Sequence, residues 1–125
     1  MQLTENFHIS EFRCKDKKRT AVPKEFWGNV QLLANNLQVL RDYIGEPLHL
    51  NSGYRTPEYN AEIGGKTNSY HLRALAADIT TKNYSPSRLA AVIEKLISEK
   101  KMKQGGLGIY PGFVHYDCRL SKARW

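Results

Sequence analysis

Residues 69–78 read Ser69-Tyr70-His71-Leu72-Arg73-Ala74-Leu75-Ala76-Ala77-Asp78, and the second half of this run predicts a short strand over 75–80. Before it, Gly64-Gly65-Lys66-Thr67-Asn68 reads as a flexible loop. Seven residues separate His71 from Asp78, so a strand can bring both side chains to one place only if a turn precedes it. The loop and the small residues Ala74, Ala76 and Ala77 leave room for that bend. Downstream, Phe113-Val114-His115-Tyr116-Asp117-Cys118 alternates as a strand. By its two-residue period Phe113, His115 and Asp117 share one face, opposite Val114, Tyr116 and Cys118.

The rest of the chain frames these strands. Phe26, Val30, Leu33, Leu37, Leu40 and Ile44 recur at spacings of three and four, which predicts a helix of about five turns. Pro23 suits its first turn, and Gly45 with Pro47 ends it. Leu48-His49-Leu50-Asn51 reads as a strand leaving through Ser52-Gly53-Tyr54-Arg55, and Pro57 opens a short helix over 57–63. Ser85-Pro86 is an N-cap with a first-turn proline, followed by the apolar face of Leu89, Val92, Ile93 and Leu96. Gly105-Gly106-Leu107-Gly108-Ile109-Tyr110 is β-like and turns at Pro111-Gly112. Helices and strands mix without regular βαβ alternation, so the expected fold is α+β, with a small, mainly antiparallel sheet packed with helices.

With 125 residues, the chain suits a single domain, 1–125. Hydrophobic residues make up 41% and charged residues 25%, the balance of a globule rather than a disordered chain. No apolar run approaches the roughly 20 residues of a membrane span. The start, Met1-Gln2-Leu3-Thr4-Glu5-Asn6, lacks the basic-then-apolar layout of a secretory signal. Nineteen Lys and Arg against 12 Asp and Glu give a net charge of +7, which favours an anionic partner: nucleic acid, a membrane surface or an acidic wall polymer. Cys14 and Cys118 are too few for a disulfide framework and are either two buried thiols or one bridge closing a long loop.

Imidazole nitrogen and carboxylate oxygen are both good zinc ligands, and a catalytic zinc usually takes three protein ligands. His71, Asp78 and His115 offer such a set. Their spacing is not one of the short zinc patterns such as H-E-x-x-H, and spacing alone does not separate a metal site from hydrogen-bonded histidines. His49, between Leu48 and Leu50, faces either the same cleft or the polar side of the sheet. Trp27 and Trp125 read as packing groups rather than substrate platforms.

The order of motifs adds what spacing lacks. Residues 69–78 resemble the S-x-H-x-x-G-x-A-x-D signature of the zinc D-Ala-D-Ala carboxypeptidases, a family of bacterial and phage peptidoglycan peptidases sharing the hedgehog-type fold. Ser52-Gly53-Tyr54-Arg55-Thr56 with Asn60 resembles the family's S-G-Y-R-[ST]-x-x-x-N segment. Residues 106–117 are similar to its closing G-x-G-x-Y-P…F-V-H-x-D segment, and Ala123-Arg124-Trp125 to the end of its single-domain branch. Glu11-Phe12-Arg13-Cys14 extends the likeness weakly towards the start.

The resemblance implies that His71, Asp78 and His115 hold Zn²⁺, which activates a water against a peptide-stem bond. It implies that Arg55 binds the substrate carboxylate or the developing oxyanion, and that Ser69 binds substrate or fixes its loop. The implied activity is that of a D,D-carboxypeptidase or endopeptidase acting on peptidoglycan stems. A monomer is expected, made in the cytoplasm and acting at the wall after release of the phage or prophage type. Two positions depart from the pattern. The family's glycine between His and Asp is Ala74, which fits if the backbone there keeps a negative φ. Several branches carry an acidic residue three positions before the last His, where this chain has Gly112. Asp117 is then either the general base or the group that orients His115. Gly112 also supports an alternative, a zinc-containing binding module without catalysis. Nucleic-acid binding rests on charge alone, without a basic helix, zinc-finger spacing or aromatic-glycine signature, and is set aside with membrane insertion.

Overall fold

The computed structural model describes residues 1–125. The apolar stripe after Pro23 forms a 3₁₀ turn, Lys24–Phe26, that runs into helix α1, Trp27–Ile44. Pro23 stands before that turn rather than inside the α-helix. Gly45, at φ 70°, closes α1 by donating its N–H to the Arg41 carbonyl, a left-handed position that glycine adopts without steric cost. Two short caps set the other helices. Thr56 accepts from the Tyr59 N–H to open α2, Pro57–Glu62, and Ser85 accepts from the Arg88 N–H to open α3, Pro86–Ser98.

Five strands make one sheet: β1 (His49–Ser52), β2 (Ala76–Thr80), β3 (Gly106–Ile109), β4 (Val114–Asp117) and β5 (Ala123–Arg124). Their order is β1-β2-β4-β3-β5. The first three pairings are antiparallel, and β5 joins β3 in parallel. The fold is α+β with a mostly antiparallel sheet. The parallel edge formed by β5 is the feature that the pattern of residues did not announce.

Alternation divides the sheet into two faces. Ala77, Ile79, Leu107, Val114 and Tyr116 turn towards α1 and α3, where they join Val30, Leu33, Leu37, Leu40, Leu89, Ile93 and Leu96 in one buried cluster. Each such aliphatic side chain contributes about 1.5–3 kcal/mol on burial, so this face anchors the sheet. The other face carries Asp78, His115 and Asp117. Register sets them in rows: His115 pairs with Asp78 on β2 and Gly108 on β3, and Asp117 pairs with Ala76 and Gly106. Small neighbours on both sides leave space above the polar residues.

The bend expected between His71 and Asp78 is a 3₁₀ turn, Tyr70–Arg73, followed by Ala74 at φ 56°. The condition under which alanine fits without cost, a negative φ, is therefore not met. The chain must reverse within one residue to feed β2, and the left-handed conformation does this at about 1–2 kcal/mol for a residue with a Cβ. This chain adopts the left-handed conformation without a glycine and bears that cost. Both cysteines are free and buried, so the bridge is absent.

Candidate active site

His71, on the 3₁₀ turn, and Asp78, on β2, meet His115 of β4 with ligand atoms all within 4.8 Å of one another. All three residues are buried. His71 Nδ1 lies 2.7 Å from the Gly53 carbonyl, which can only accept, so this nitrogen carries the proton and Nε2 holds a bare lone pair. Nε2 stands 3.3 Å from Asp78 Oδ2 but makes no hydrogen bond, the one buried side-chain polar atom left without a partner. His115 repeats the pattern. Its Nε2 lies 2.7 Å from Asp117 Oδ2, and its Nδ1 faces Asp78 Oδ1 at 3.0 Å.

Two imidazole lone pairs and a carboxylate thus converge, an arrangement that repels itself unless a cation lies among the three groups. A proton on His115 Nδ1 provides one. Burial disfavours charge on His115, but hydrogen bonds to Asp117 and Asp78 outweigh it and raise its pKa. His71 moves the other way, because burial lowers its pKa beyond what Asp78 restores. Burial also works against the Asp78 carboxylate, yet the two histidines hold it well below the usual carboxylate range. A metal ion with two nitrogen ligands and one oxygen ligand fits the same place without any proton.

Asp117 lies under this group with no side-chain exposure. Its Oδ1 accepts from the Gly106 and Arg119 backbone N–H groups and from Arg119 Nε; its Oδ2 meets His115 Nε2 and Arg119 Nη2. Five donors on two oxygens leave nothing to take a proton from a molecule in the cleft. Of the two roles read for Asp117, these surroundings suit the orientation of His115 and not that of a base. Gly112 sits on an open turn where an added Cβ would meet nothing within 4 Å.

Arg55 closes the other side. Its Nε donates to Ser52 Oγ (3.0 Å), Nη1 to Asn60 Oδ1 (3.1 Å) and Nη2 to Asp78 Oδ2 (3.2 Å). Of five donors, two N–H remain, one on each terminal nitrogen. Ser69 Oγ accepts from the His71 N–H, capping the 3₁₀ turn, and its own hydroxyl proton stays available. Above His71, Asp78 and His115 lies a cleft of about 850 Å³ whose only side-chain carboxylate is Asp78.

The sequence profile of the peptidase M15 family matches residues 5–117. The chain belongs to the peptidase M15 family. No curated protein matches it. The matched span contains the 3₁₀ turn, β2 and β4, and therefore all three convergent residues of this peptidase.

Each of His71, Asp78, His115, Arg55 and Ser69 lines the cleft of the M15 peptidase, and Asp117 lies directly behind His115. His49 does not. It pairs with Thr80 at the far end of β2 and is exposed. Trp27 is also remote, its Nε1 donating to the Val22 carbonyl. Trp125 was read as a packing group and is more than that. Its ring stands 5.1 Å from His115 and lines the cleft, and Nε1 donates to Tyr110 Oη (2.7 Å). Tyr110 in turn stacks on Phe113, with ring centroids 4.5 Å apart. Arg119, Tyr70 and Tyr110 escaped sequence reasoning. The one available signal was Phe113, His115 and Asp117 sharing a face, which marked where such neighbours would gather.

Proposed function

We propose that this M15 peptidase is a zinc-dependent peptidoglycan hydrolase that cleaves a bond of the peptide stem, as a D,D-carboxypeptidase or an endopeptidase. The observation that carries the reading is the convergence of the unpartnered His71 Nε2, of His115 Nδ1 and of the Asp78 carboxylate beside Arg55 in an open cleft. Zinc suits a nitrogen-nitrogen-oxygen set that leaves a coordination position open. His71 Nε2, Asp78 and His115 Nδ1 would hold it, and it would supply Lewis acidity towards a scissile carbonyl and a nucleophilic water.

The protein's own groups do the rest. The two spare N–H of Arg55 bind a substrate carboxylate or carbonyl oxygen, and Asn60 and Ser52 keep the guanidinium from turning away. Asp117 keeps the proton of His115 on Nε2, so that Nδ1 faces the cleft as a ligand. Ser69 donates its hydroxyl to substrate while fixing the turn that carries His71. Trp125, Tyr110 and Phe113 form an aromatic wall that excludes water from one side. A net charge of +7 draws the enzyme to an anionic wall, and we place its synthesis in the cytoplasm and its work at the wall.

A second reading, a zinc-containing module that binds without cleaving, is favoured by the lack of any carboxylate besides Asp78 in the cleft. One experiment separates the two. Purified protein should carry about one zinc, and His115→Ala should lose most of it. Mass spectrometry of wall digests should then reveal released stem fragments or D-Ala. Unchanged metal content in the variant rejects the site, and bound zinc with no release from several wall chemotypes favours the binding module.

A further inference from the structure

The cleft is lined by four cationic side chains, Arg55, Lys66, Arg73 and Arg119, against the single carboxylate of Asp78. Two of the four are already matched. Arg55 pairs with Asp78 at 3.2 Å, and Arg119 pairs with Asp117 at 2.7 Å from the sheet beneath. Lys66 and Arg73 enter no ion pair anywhere in the molecule.

Their backbones are nevertheless tied down. The Lys66 carbonyl accepts from Asn60 Nδ2, the same side chain that holds Arg55, at 2.9 Å. The Arg73 carbonyl accepts from Asn29 Nδ2 at 3.0 Å. The Arg73 guanidinium lies over the Tyr70 ring at 5.4 Å, and Tyr70 also carries Arg119 at 4.5 Å, so one aromatic ring holds two guanidinium groups at the cleft wall. Unmatched cations on anchored backbone at the rim of a cavity are suited to an anion carried by whatever lies in that cavity.

We infer that Lys66 and Arg73 form a second carboxylate subsite, separate from Arg55, which selects peptide stems whose branch carboxylates are free over stems in which they are amidated. The inference rests on the peptidase reading for the identity of the ligand as a peptide. A carboxylate offers two charged acceptor oxygens to the cations, whereas a carboxamide is neutral and keeps one acceptor oxygen, its NH2 group being able only to donate.

The test is binding, measured by calorimetry on the whole chain in EDTA so that no turnover intervenes. Two synthetic stem peptides are compared, with the same free terminal carboxylate and with branch groups either carboxylates or carboxamides. The free form should bind about five- to tenfold more tightly at 50 mM salt, and the ratio should shrink at 500 mM because exposed pairs are screened. Lys66→Gln/Arg73→Gln should bring the ratio close to one. Lys17→Gln/Lys18→Gln, which removes equal charge from an exposed loop outside the cleft, should leave it intact. Equal or undetectable binding of both peptides, or an equal loss in the Lys17/Lys18 variant, overturns the subsite. Turnover is scored separately with zinc present: failure to cleave either peptide counts against the peptidase reading, while the binding ratio still decides the subsite.

Discussion

Asp117 shows how much one buried carboxylate can organise. It accepts five hydrogen bonds, and its burial cost is outweighed by Arg119 and His115, which keep it ionised well below the usual carboxylate range. Asp117→Asn keeps the shape but loses the charge that fixes the His115 proton on Nε2. Zinc affinity should fall about ten- to hundredfold in that variant, measured by competition with a chelating dye. Unchanged affinity would leave Asp117 without a positioning role. His71, Asp78 and His115 could be named from sequence because each belongs to a motif of fixed local spacing. The environment of Asp117 could not, since the choice between base and orienting group depends on Arg119 folding back over it. The conformation of Ala74 stays open in the sequence for a related reason: a side chain as small as methyl does not reveal the sign of φ.

Among the elements, β3 carries the tightest constraint. A Cβ on Gly108 would lie 2.4 Å from Trp125, and one on Gly106 would lie 2.4 Å from Asp117 Oδ2. The two glycines on the polar face of β3 thus let an indole and an ion pair lie flat against the sheet. Gly108→Ala should push Trp125 off His115 and cost about 1–3 kcal/mol in urea denaturation, with loss of near-UV dichroism from the indole. A folded variant with full stability and an unchanged spectrum would refute this packing. The long helices and the four antiparallel strands were readable from periodicity, caps and turns, all of which are local. β5 was not, since Ala123–Arg124 is too short to show a period and forms only because β3 offers it an open edge. Trp125, and with it the aromatic wall, follows from that pairing, so this part of the site stayed hidden with β5.

At the scale of the whole molecule the two thiols report on integrity. Cys14 and Cys118 are buried and unbridged, and burial pushes the Cys118 thiol up to about 11. The native protein should therefore resist alkylation at pH 8 and release two reactive thiols on unfolding. The sign of the pH effect follows from linkage. Where the folded thiol keeps its proton and the unfolded one has lost it, raising the pH favours the unfolded chain. Stability should be indifferent to Cys118 below about pH 7.5, where thiols in both states stay protonated, and should fall as the pH rises from about 8.5 to 11. Cys118→Ala should remove that part of the slope; identical slopes in the two proteins would reject the assignment.

The placement of Trp125 has an optical consequence. The chain has two tryptophans, and only Trp125 lies against the group of His71, Asp78 and His115, its ring 5.1 Å from His115. With Trp27 replaced by phenylalanine, the remaining emission comes from an indole lying against an imidazole that either carries an extra proton or serves as a ligand. A protonated imidazole quenches indole fluorescence, while closed-shell zinc does not. Adding zinc should brighten the protein and a chelator should dim it again, so that cofactor occupancy could be followed in real time without label or substrate.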